Sequence, residues 1–457
     1  MLKKIIIILL LLTFLNLSAQ NLRANERVTE CAEGFSRAMF DFNMGLDKVI
    51  IKPIAQLYSF LPVGVRESIN NALFNIESTV SFPNQILQGN FNDAGLTLGR
   101  FLINSTVGIA GIFDPASALG FTKPNREDFG QTFGAWGIGQ GCYLVLPVLG
   151  PTTPRDGFGR LLGIYGDYFY MVTVGDTRFF GNSVEEHWYW YEMSTDVVNF
   201  RSQNIKSFEN LEKNSLDLYV AVKSLYLQKR ENLVRNARSS DGLYGGKDDD
   251  WKDIKWLKKL VKKKFFKSLV LFFFTFTTYT FATDTNTELF VLKLSNDTKV
   301  ILFDKSNNYQ ARQIQLNSLL LNNVDLDAIA NYTLGEYRYK LSDSEKIIFN
   351  KLFNDYFVKN VSSKLSDFAD QDLKVIGSKR INETNIIVNT KIFSKKDGQE
   401  IIVDWRIFFS NNKYLVRDLV VEGLSLARTQ REEFASILVS KGFPELVKIL
   451  ENYIKSN

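Results

Sequence analysis

The sequence predicts two structurally different parts in one chain, an all-α N-terminal part and an α+β C-terminal part with a curved antiparallel sheet. From about Cys31 to Arg235, apolar residues recur at helical spacing between breaks, as in the run from Met44 to Tyr58. This spacing predicts several short helices. Beyond Asp284 the composition shifts to Asn, Lys and Asp, and helical patterns are followed by segments of alternating apolar and polar residues. Such alternation is typical of strands with one buried face.

The glycine-rich segment from Phe129 to Pro154 is the exception in the N-terminal part. Six glycines lie between Gly130 and Gly150. Each costs a helix about 1 kcal/mol relative to alanine. We therefore predict irregular, closely packed backbone in this segment.

The C-terminal part has a more regular pattern. Helical spacing predicts three helices, over roughly residues 298–323, 328–334 and 343–368. Alternation predicts three strands after them, near residues 386–392, 401–409 and 414–421. Turns at 396–398 and at Asn411-Asn412 would join these strands as hairpins. Two more helices, separated by Gly442 and Pro444, complete a pattern typical of an α+β domain.

The first 24 residues have the three-part pattern of an export signal. Two lysines precede an apolar run from Ile5 to Leu15, and small and polar residues follow. We expect this signal, within residues 1–24, to be removed by cleavage after Ala19 or after Ala24, which places the mature protein outside the cytoplasm. There, Cys31 and Cys142 could form a disulfide or remain separate thiols, because the sequence gives no distance between them.

A basic and then apolar segment separates the two parts. Residues 239–264 begin small and acidic and end lysine-rich, and we interpret them as a linker. Residues 265–282 form an apolar run about as long as a short spanning helix. Because the order of basic, apolar and small polar residues repeats that of the N-terminus, this segment is interpreted as a second export signal, with a membrane helix as the alternative.

The lysines of this segment create a conflict of topology. The positive-inside rule places the run from Lys252 to Lys267 on the cytoplasmic side, although the first signal has already exported the preceding part. We therefore expect the two parts to be separated, by cleavage near Ala282 or by separate synthesis. In the remaining alternative the lysine-rich run is translocated and its apolar neighbour docks on a membrane.

The net charge does not indicate nucleic-acid binding, and the residue types present do not indicate catalysis. A formal charge of +5 over 457 residues is small, and no dense basic patch lies on a nucleic-acid-binding motif. His187 is the only histidine, so neither a histidine-activated nucleophile nor a histidine-rich metal centre is predicted. Gly137, Gly139 and Gly141 do not follow a strand and open a helix, as a dinucleotide-binding loop requires. We predict no enzyme activity, no metal, no cofactor and no nucleic-acid partner.

Several strings of the N-terminal part together resemble one known family. The longest is Gly130-Gln131-Thr132-Phe133-Gly134, followed by Trp136, three alternating glycines and Tyr143-Leu144-Val145-Leu146-Pro147. Shorter strings lie at residues 35–43, 52–55, 101–108 and 111–116. Over about residues 31–235 they resemble the MlaA (VacJ) family.

This resemblance implies a ring-like helical domain embedded in the inner leaflet of the outer membrane and associated with trimeric porins. Misplaced outer-leaflet phospholipids would pass through its amphipathic channel toward the periplasm. The implied channel residues are Phe42, Asn43, Gly134, Trp136, Gly137, Gly139, Gly141 and Tyr143.

Two positions depart from the family pattern. The family usually carries a lipidated cysteine just after its signal, whereas Cys31 follows Thr29-Glu30, which is not a lipidation motif. The family also has proline where this chain has Cys142. We therefore expect membrane attachment through apolar helix faces and the aromatic run Trp188 to Tyr191.

The C-terminal part resembles a second family. The similarity is carried by Asp325-x-Asp327-Ala328-Ile329-Ala330 and by Val416-x-Asp418-Leu419-Val420-Val421-Glu422-Gly423-Leu424-Ser425-Leu426. Over about residues 290–455 these strings resemble MlaC, the soluble carrier of the toluene-tolerance Ttg2 type. The resemblance implies an NTF2-like fold with a deep apolar pocket for acyl chains. The expected pocket residues are Phe349, Phe353, Ile386, Val388, Trp405, Ile407, Leu419 and Val421.

Together the resemblances imply retrograde phospholipid transport that maintains outer-membrane lipid asymmetry. The domain at residues 25–238 would lie on the periplasmic face of the outer membrane. The domain at residues 283–457 would move through the periplasm to an inner-membrane lipid ABC transporter complex. The alternative is a structural or adhesive envelope protein without lipid transfer, whose apolar sheet residues form a filled core.

Overall fold

The computed structural model describes residues 30–166, 187–235, 284–304, 309–365, 371–394 and 400–455. The chain forms two compact units. The N-terminal unit contains the residues up to Lys213 together with Leu233–Asn236, and the C-terminal unit contains Asn214–Asn232 and the residues from Ala237 onward. The predicted signal and the stretch at 239–282 lie outside the described residues.

Helices build the N-terminal unit, as the apolar spacing predicted. They are α1 (Glu33–Leu46), α2 (Lys52–Ser59), α3 (Val63–Leu87), α4 (Phe91–Thr106), α5 (Pro115–Ala118), α6 (Phe129–Ala135), α7 (Pro154–Gly166), α8 (His187–Gln203) and α9 (Ile205–Asn214). A π-helical turn at Asp47–Ile51 connects α1 to α2. Within the described ranges, no helix has both the length and the apolar composition needed to cross a membrane.

The glycine-rich segment is more regular than predicted. It contains α6 and a hairpin of β1 (Leu144–Leu146) and β2 (Gly150–Thr152), so this unit is helical with one short hairpin rather than all-α. A Cβ at Gly159 of α7 would overlap the backbone of Gly130 in α6. The glycines thus allow two helices to pack at backbone contact, and this packing offsets their unfavourable helix propensity.

Helices surround one sheet in the C-terminal unit. They are α10 (Leu218–Val234, of which the residues up to Asn232 belong to this unit), α11 (Thr285–Phe303), α12 (Tyr309–Asn323), α13 (Leu326–Leu334), α14 (Asp343–Leu365), α15 (Leu426–Ser440) and α16 (Phe443–Lys455). The strands are β3 (Gln371–Arg380), β4 (Asn385–Ser394), β5 (Glu400–Ser410), β6 (Lys413–Val421) and β7 (Leu424–Ser425). The sheet order is β3-β4-β5-β6-β7, and every neighbouring pair is antiparallel.

The predicted α+β architecture is confirmed, with two differences in its elements. The single helix expected over 298–323 is wrong, because α11 and α12 are separate helices. Strand β3 was not predicted, since a bulge between Val375 and Gly377 breaks its alternation. A second bulge follows Arg406, and bulges increase the bend of a sheet. The turn at Asn411-Asn412 is confirmed by positive φ at both residues, whereas the turn at 396–398 lies outside the described residues.

Candidate functional site

Polar side chains occupy the buried face of α4 in the N-terminal unit. Thr97, Arg100 and Asn104 follow one another at helical spacing and are all buried. On the opposite face, Leu98 and Leu102 are 41% and 54% exposed. This distribution is the reverse of the one that water-soluble helices show.

Helix α3 repeats this inverted pattern. Its buried face carries Asn75, Ser78, Ser81, Asn84 and Gln85, whereas the apolar residues at its two ends are exposed. Sequence reasoning missed this stripe because it followed the periodicity of apolar residues only. The recurrence of polar residues every three or four positions was the signal that could have revealed it.

Hydrogen bonds connect the polar stripe of α3 to α6. The Thr132 hydroxyl donates to Asn84 Oδ1 at 2.6 Å, and Gln88 Nε2 donates to Thr132 Oγ1 at 3.1 Å. The same Gln88 amide donates to the Glu127 carboxylate at 2.9 Å. These hydrogen bonds connect Asn84, Gln88, Glu127 and Thr132, so burial does not leave these four side chains without a partner.

An ion pair between the buried Arg100 and the half-buried Asp114 anchors α4 to the loop that follows it. Arg100 Nη2 lies 2.6 Å from Asp114 Oδ2, and Nη1 donates to the carbonyl of Phe121 at 2.7 Å. Burial alone would raise the pKa of Asp114, but hydrogen bonds from Ser117, Arg100 and Asn104 outweigh it and lower that pKa to about 2. The carboxylate is therefore ionised throughout the physiological range.

Two of the proposed channel residues, Asn43 and Tyr143, lie beside the β1–β2 hairpin. Asn43 Nδ2 donates to the carbonyl of Leu146 at 2.9 Å, and Asn43 Oδ1 accepts from the backbone of Val148 at 2.7 Å. Tyr143 is fully buried, and its carbonyl accepts from the backbone of Cys31. Phe42, next to Asn43, is exposed. The α1 helix is thereby fixed to the hairpin.

The remaining channel candidates follow α6. Trp136 is 55% exposed and donates through Nε1 to the carbonyl of Leu87 at the end of α3. Gly137 and Gly141 have positive φ, which glycine adopts without strain. A Cβ at Gly134 would lie 2.6 Å from the side chain of Val234. These residues therefore shape the backbone between α6 and the hairpin, and Gly139 has open space around it.

A disulfide joins Cys31 to Cys142, which resolves the alternative that the sequence left open. The two residues are 111 positions apart in the sequence and precede α1 and β1 respectively. Because Cys142 stands where the family usually has proline, the bond is a feature that the family resemblance did not imply.

The proposed pocket residues of the C-terminal unit share one face of the sheet. The strand register pairs Ile386 with Ile407, Val388 with Trp405, Trp405 with Leu419 and Val403 with Val421. Ile386, Val388 and Ile407 are almost fully buried. The strand alternation therefore predicted correctly that the side chains of the strand residues share a face, and that this face lines a pocket stays a prediction.

An aromatic cluster packs over this part of the molecule. The ring centroids of Phe349 and Phe353 of α14 are 5.8 Å apart, and both rings make edge-to-face contacts with Phe434 of α15. Val388 and Ile407 belong to the same apolar core. Phe434 of α15 and Tyr356 of α14 also belong to this core, although they were not among the expected pocket residues.

The opposite face of the sheet carries a buried carboxylate, Asp404. It accepts a hydrogen bond from Asn389 Nδ2 at 2.7 Å. Burial raises the pKa of Asp404 to about 6, although the bond from Asn389 and the nearby Arg406 oppose this rise. Since the pKa is higher in the folded chain than its ordinary value of 3.8, this group destabilises the fold by about 3 kcal/mol once it ionises above pH 6.

We expect Asp404→Asn to stabilise the C-terminal unit at pH 7.5 by roughly 1 to 3 kcal/mol, because the neutral amide removes the cost of a buried charge. Below about pH 4 the difference should vanish, since Asp404 is then protonated. Urea unfolding at both pH values measures this. Asp372→Asn is the control, because that exposed carboxylate pairs with Lys299 on the surface. An equal effect of Asp404→Asn at both pH values would contradict the raised pKa of Asp404 in the folded chain.

The residues that the structure describes contain no group of three His, Cys, Asp or Glu side chains suited to hold a metal ion. His187 begins α8.

Fold and site together define a two-part chain: a helical unit with buried polar and exposed apolar side chains, and an α+β unit with an apolar sheet face. Residues 28–233 match the family described as MlaA lipoprotein, and residues 293–452 match the family described as MlaC protein. The chain belongs to the MlaA family through its N-terminal region and carries an MlaC-family region after it. The combination predicted from the sequence is confirmed.

Two sequence relatives support membership in the MlaA family. The intermembrane phospholipid transport system lipoprotein MlaA of Escherichia coli is 30% identical over 210 residues, which are 44% of this chain and 76% of the relative. An uncharacterized protein of Rickettsia bellii is 31% identical over 225 residues, which are 48% of this chain and 81% of the relative. A solved phospholipid-binding protein of Ralstonia solanacearum, in complex with a phospholipid, aligns at 16% identity with a TM-score of 0.33, over 36% of this chain and 94% of that one.

Proposed function

We propose that the chain transports phospholipid and so maintains the lipid asymmetry of the outer membrane. The N-terminal unit takes mislocalised phospholipid from the outer membrane, and the C-terminal unit carries it through the periplasm. Membership in the MlaA family and the match to the MlaC family support this proposal. The name of the Escherichia coli relative refers to an intermembrane phospholipid transport system.

The inverted polarity of the N-terminal unit is the observation that carries the proposal. In water, exposed side chains such as Phe60, Phe91 and Leu102 cost free energy of about 25 cal/mol for each Å² of apolar surface. In contact with acyl chains this cost disappears. Buried polar groups such as Gln85 and Arg100 would then face the interior of the unit. A lipid headgroup requires such polar surroundings on its way through a membrane-embedded protein.

The proposed path through the N-terminal unit runs past the Trp136 and Asn43 segments. Trp136 is an exposed aromatic with its N–H hydrogen-bonded, a combination suited to a membrane interface. This unit lies in our proposal on the periplasmic face of the outer membrane, in association with a trimeric porin. An inner-membrane lipid ABC transporter complex is the proposed acceptor at the other end.

The C-terminal unit has the chemistry that a periplasmic carrier requires. Each acyl CH₂ withdrawn from water contributes about 0.8 kcal/mol, so a two-chain lipid needs an apolar shield while it crosses an aqueous compartment. The face lined by Val388, Trp405 and Ile407 and covered by Phe353 and Phe434 supplies apolar surface of this kind. We propose that acyl chains enter between the sheet and these helices.

Ile407→Asp and Val388→Asp are expected to abolish the co-purification of phospholipid with the chain, because an ionised side chain in an apolar pocket must be desolvated or neutralised. Organic extraction of the purified protein followed by phosphate analysis measures the lipid. The wild-type chain should yield about one phospholipid for each carrier unit.

Ile376→Asp is the matched control, since this isoleucine of β3 is 56% exposed. It should retain its lipid. Circular dichroism identifies variants that fail to fold, and for these Val388→Phe, which fills the space without adding a charge, replaces the aspartate. A folded Ile407→Asp variant with unchanged lipid would show that the cavity lies elsewhere. A wild-type chain without any lipid would favour a structural or adhesive envelope protein.

A further inference from the structure

We propose that the N-terminal unit contains a phosphate-binding site, which three cations form around the ring of Phe74 and which takes the phosphodiester of a lipid headgroup. The cations are Arg100, Lys123 and Arg126. This inference rests on the proposed function and deepens it, because it names the part of the phospholipid that the unit recognises and the side chains that recognise it.

The three cations converge on one aromatic ring. Lys123 Nζ lies 4.1 Å from the ring centroid of Phe74, and the guanidinium carbons of Arg126 and Arg100 lie 5.6 Å and 6.0 Å from it. Since a cation is attracted to the face of an aromatic ring, Phe74 helps to keep these like charges together. Cations gathered in this way attract a phosphate anion, whose several oxygens can accept from more than one of them.

Carboxylates hold the two arginines in place. Arg100 Nη2 lies 2.6 Å from Asp114 Oδ2. Arg126 Nη1 donates to Glu77 Oε1 at 2.8 Å and lies 3.5 Å from Asp196 Oδ1. The Nε of Arg100 is buried and has no hydrogen-bond partner among the residues that the structure describes. The guanidinium groups are thus oriented before an anion arrives, and one of their donors is unused.

Lys123 is the cation without a counterion. Within the described part of the chain it makes no hydrogen bond and no ion pair, and it contacts the ring of Phe74. The residue is exposed, so a ligand can reach it from solvent. The surrounding protein nevertheless desolvates its ammonium group, and this desolvation, followed by repulsion from Arg126 and Arg100, lowers the pKa of Lys123. A bound anion would relieve the repulsion.

The loop before α6 carries two of the cations and is fixed on the polar stripe of α3. Gln85 Nε2 donates to the carbonyl of Asn125 at 3.3 Å, and the backbone of Glu127 donates to Ser81 Oγ at 3.0 Å. Phe74 belongs to the same helix. The ring and the cations therefore keep their arrangement without a ligand, which reduces the ordering cost when an anion binds.

Two sources offer phosphate chemistry, the phosphodiester of a lipid and free inorganic phosphate. The lipid is favoured because the helix that contributes Arg100 exposes Leu98 and Leu102 on its opposite face. One unit thus offers apolar surface to acyl chains and positive charge to the phosphate of the same molecule.

The first measurement follows Lys123 in the full chain, purified in a neutral detergent. Brief labelling with acetic anhydride and mass spectrometry give the reactivity of each lysine. Glycerophosphoglycerol, a phosphodiester headgroup without acyl chains, should slow the labelling of Lys123 several-fold, and glycerol should not. Lys206 of α9 is the internal control, because it is an exposed lysine of the same unit. Equal protection of both lysines, or protection of neither, would overturn the proposal.

The same assay separates the two sources of phosphate. Dihexanoyl phosphatidylglycerol should protect Lys123 at concentrations at which inorganic phosphate does not. The opposite order would overturn the assignment to a lipid headgroup and identify a site for free phosphate.

Lys123→Gln should raise the dissociation constant of glycerophosphoglycerol on the order of tenfold, because a hydrogen bond to a charged group is lost. Line broadening in phosphorus NMR spectra measures this constant. Lys123→Arg should retain the affinity, and Lys206→Gln is the matched control. An unchanged constant in Lys123→Gln would contradict the site, and since Lys123 has no hydrogen bond to a described residue, its replacement should leave the fold intact.

Lipid analysis of the same preparations keeps this proposal distinct from the transport function. Phospholipid that co-purifies with a chain whose Lys123 stays unprotected would defeat only the phosphate site. Protection of Lys123 in a chain that never co-purifies with phospholipid would defeat only the transport function.

Discussion

Loss of the Cys31–Cys142 disulfide is expected to lower the free energy of unfolding of the N-terminal unit by about 4 to 5 kcal/mol. The bond closes a long loop, since the two cysteines are 111 positions apart, and a cross-link of this span removes much of the conformational freedom of the unfolded chain. It also fixes the start of α1 beside Tyr143, whose carbonyl accepts from the Cys31 backbone.

The measurement is thermal or urea unfolding of the Cys31→Ser/Cys142→Ser double variant in detergent, followed by circular dichroism. Reduction of the wild-type chain should produce the same loss, and reduction of the double variant should change nothing further. A double variant as stable as the oxidised wild type would contradict this role of the bond.

Arg100→Met is expected to destabilise the region from α4 to Phe121 by about 3 to 5 kcal/mol, because it leaves the Asp114 carboxylate without its cation. Arg100 is nearly fully buried and contacts Asp114, Ser117 and the carbonyl of Phe121. The apolar stem of methionine keeps most of the volume, so the loss reports the charge and the hydrogen bonds. Native-state hydrogen exchange of the amides from residue 91 to residue 121 measures it locally.

Arg160→Met is the control, because this exposed arginine of α7 makes one bond to the Leu149 carbonyl. The double variant Arg100→Met/Asp114→Asn should lose less than the sum of the single losses, since the uncompensated charge is gone. The pH dependence has a defined sign. The folded pKa of Asp114 is about 2 and its ordinary value is 3.8, so its contribution is complete above about pH 4 and is lost as the pH falls toward 2.

The strands and turns of the C-terminal unit illustrate how far the sequence could predict the fold. Alternation over Ile401 to Phe409 identified β5 and its apolar face, and the Asn411-Asn412 pair identified the hairpin. Strand β3 escaped prediction because its bulge near Gly377 interrupts the local alternation. Phe434 was not among the expected pocket residues, because it joins the apolar core from a helix distant in the sequence from the strands that were considered.

The N-terminal site was predicted less completely for a related reason. The motifs that resemble the MlaA family predicted Trp136 and the glycines around it as channel residues, and the structure places them between α6 and the hairpin. The buried polar residues, among them Asn75 and Arg100, were not singled out, because polar side chains in a helix are usually exposed. Only their position in the folded unit shows that they form the interior.

By itself the sequence determined the two families, the helical and α+β architectures, the common sheet face of the expected pocket residues and the turn at Asn411-Asn412. Each depends on local periodicity or on motifs that are read along the chain. The tertiary structure decided the Cys31–Cys142 bond, the inverted polarity of α3 and α4 and the place of α10. These depend on contacts between distant residues. Helix α10 shows why, because its sequence continues the first region, while the groups that hydrogen-bond Gln228 belong to Ser425 and Thr429, which lie 197 and 201 positions further on.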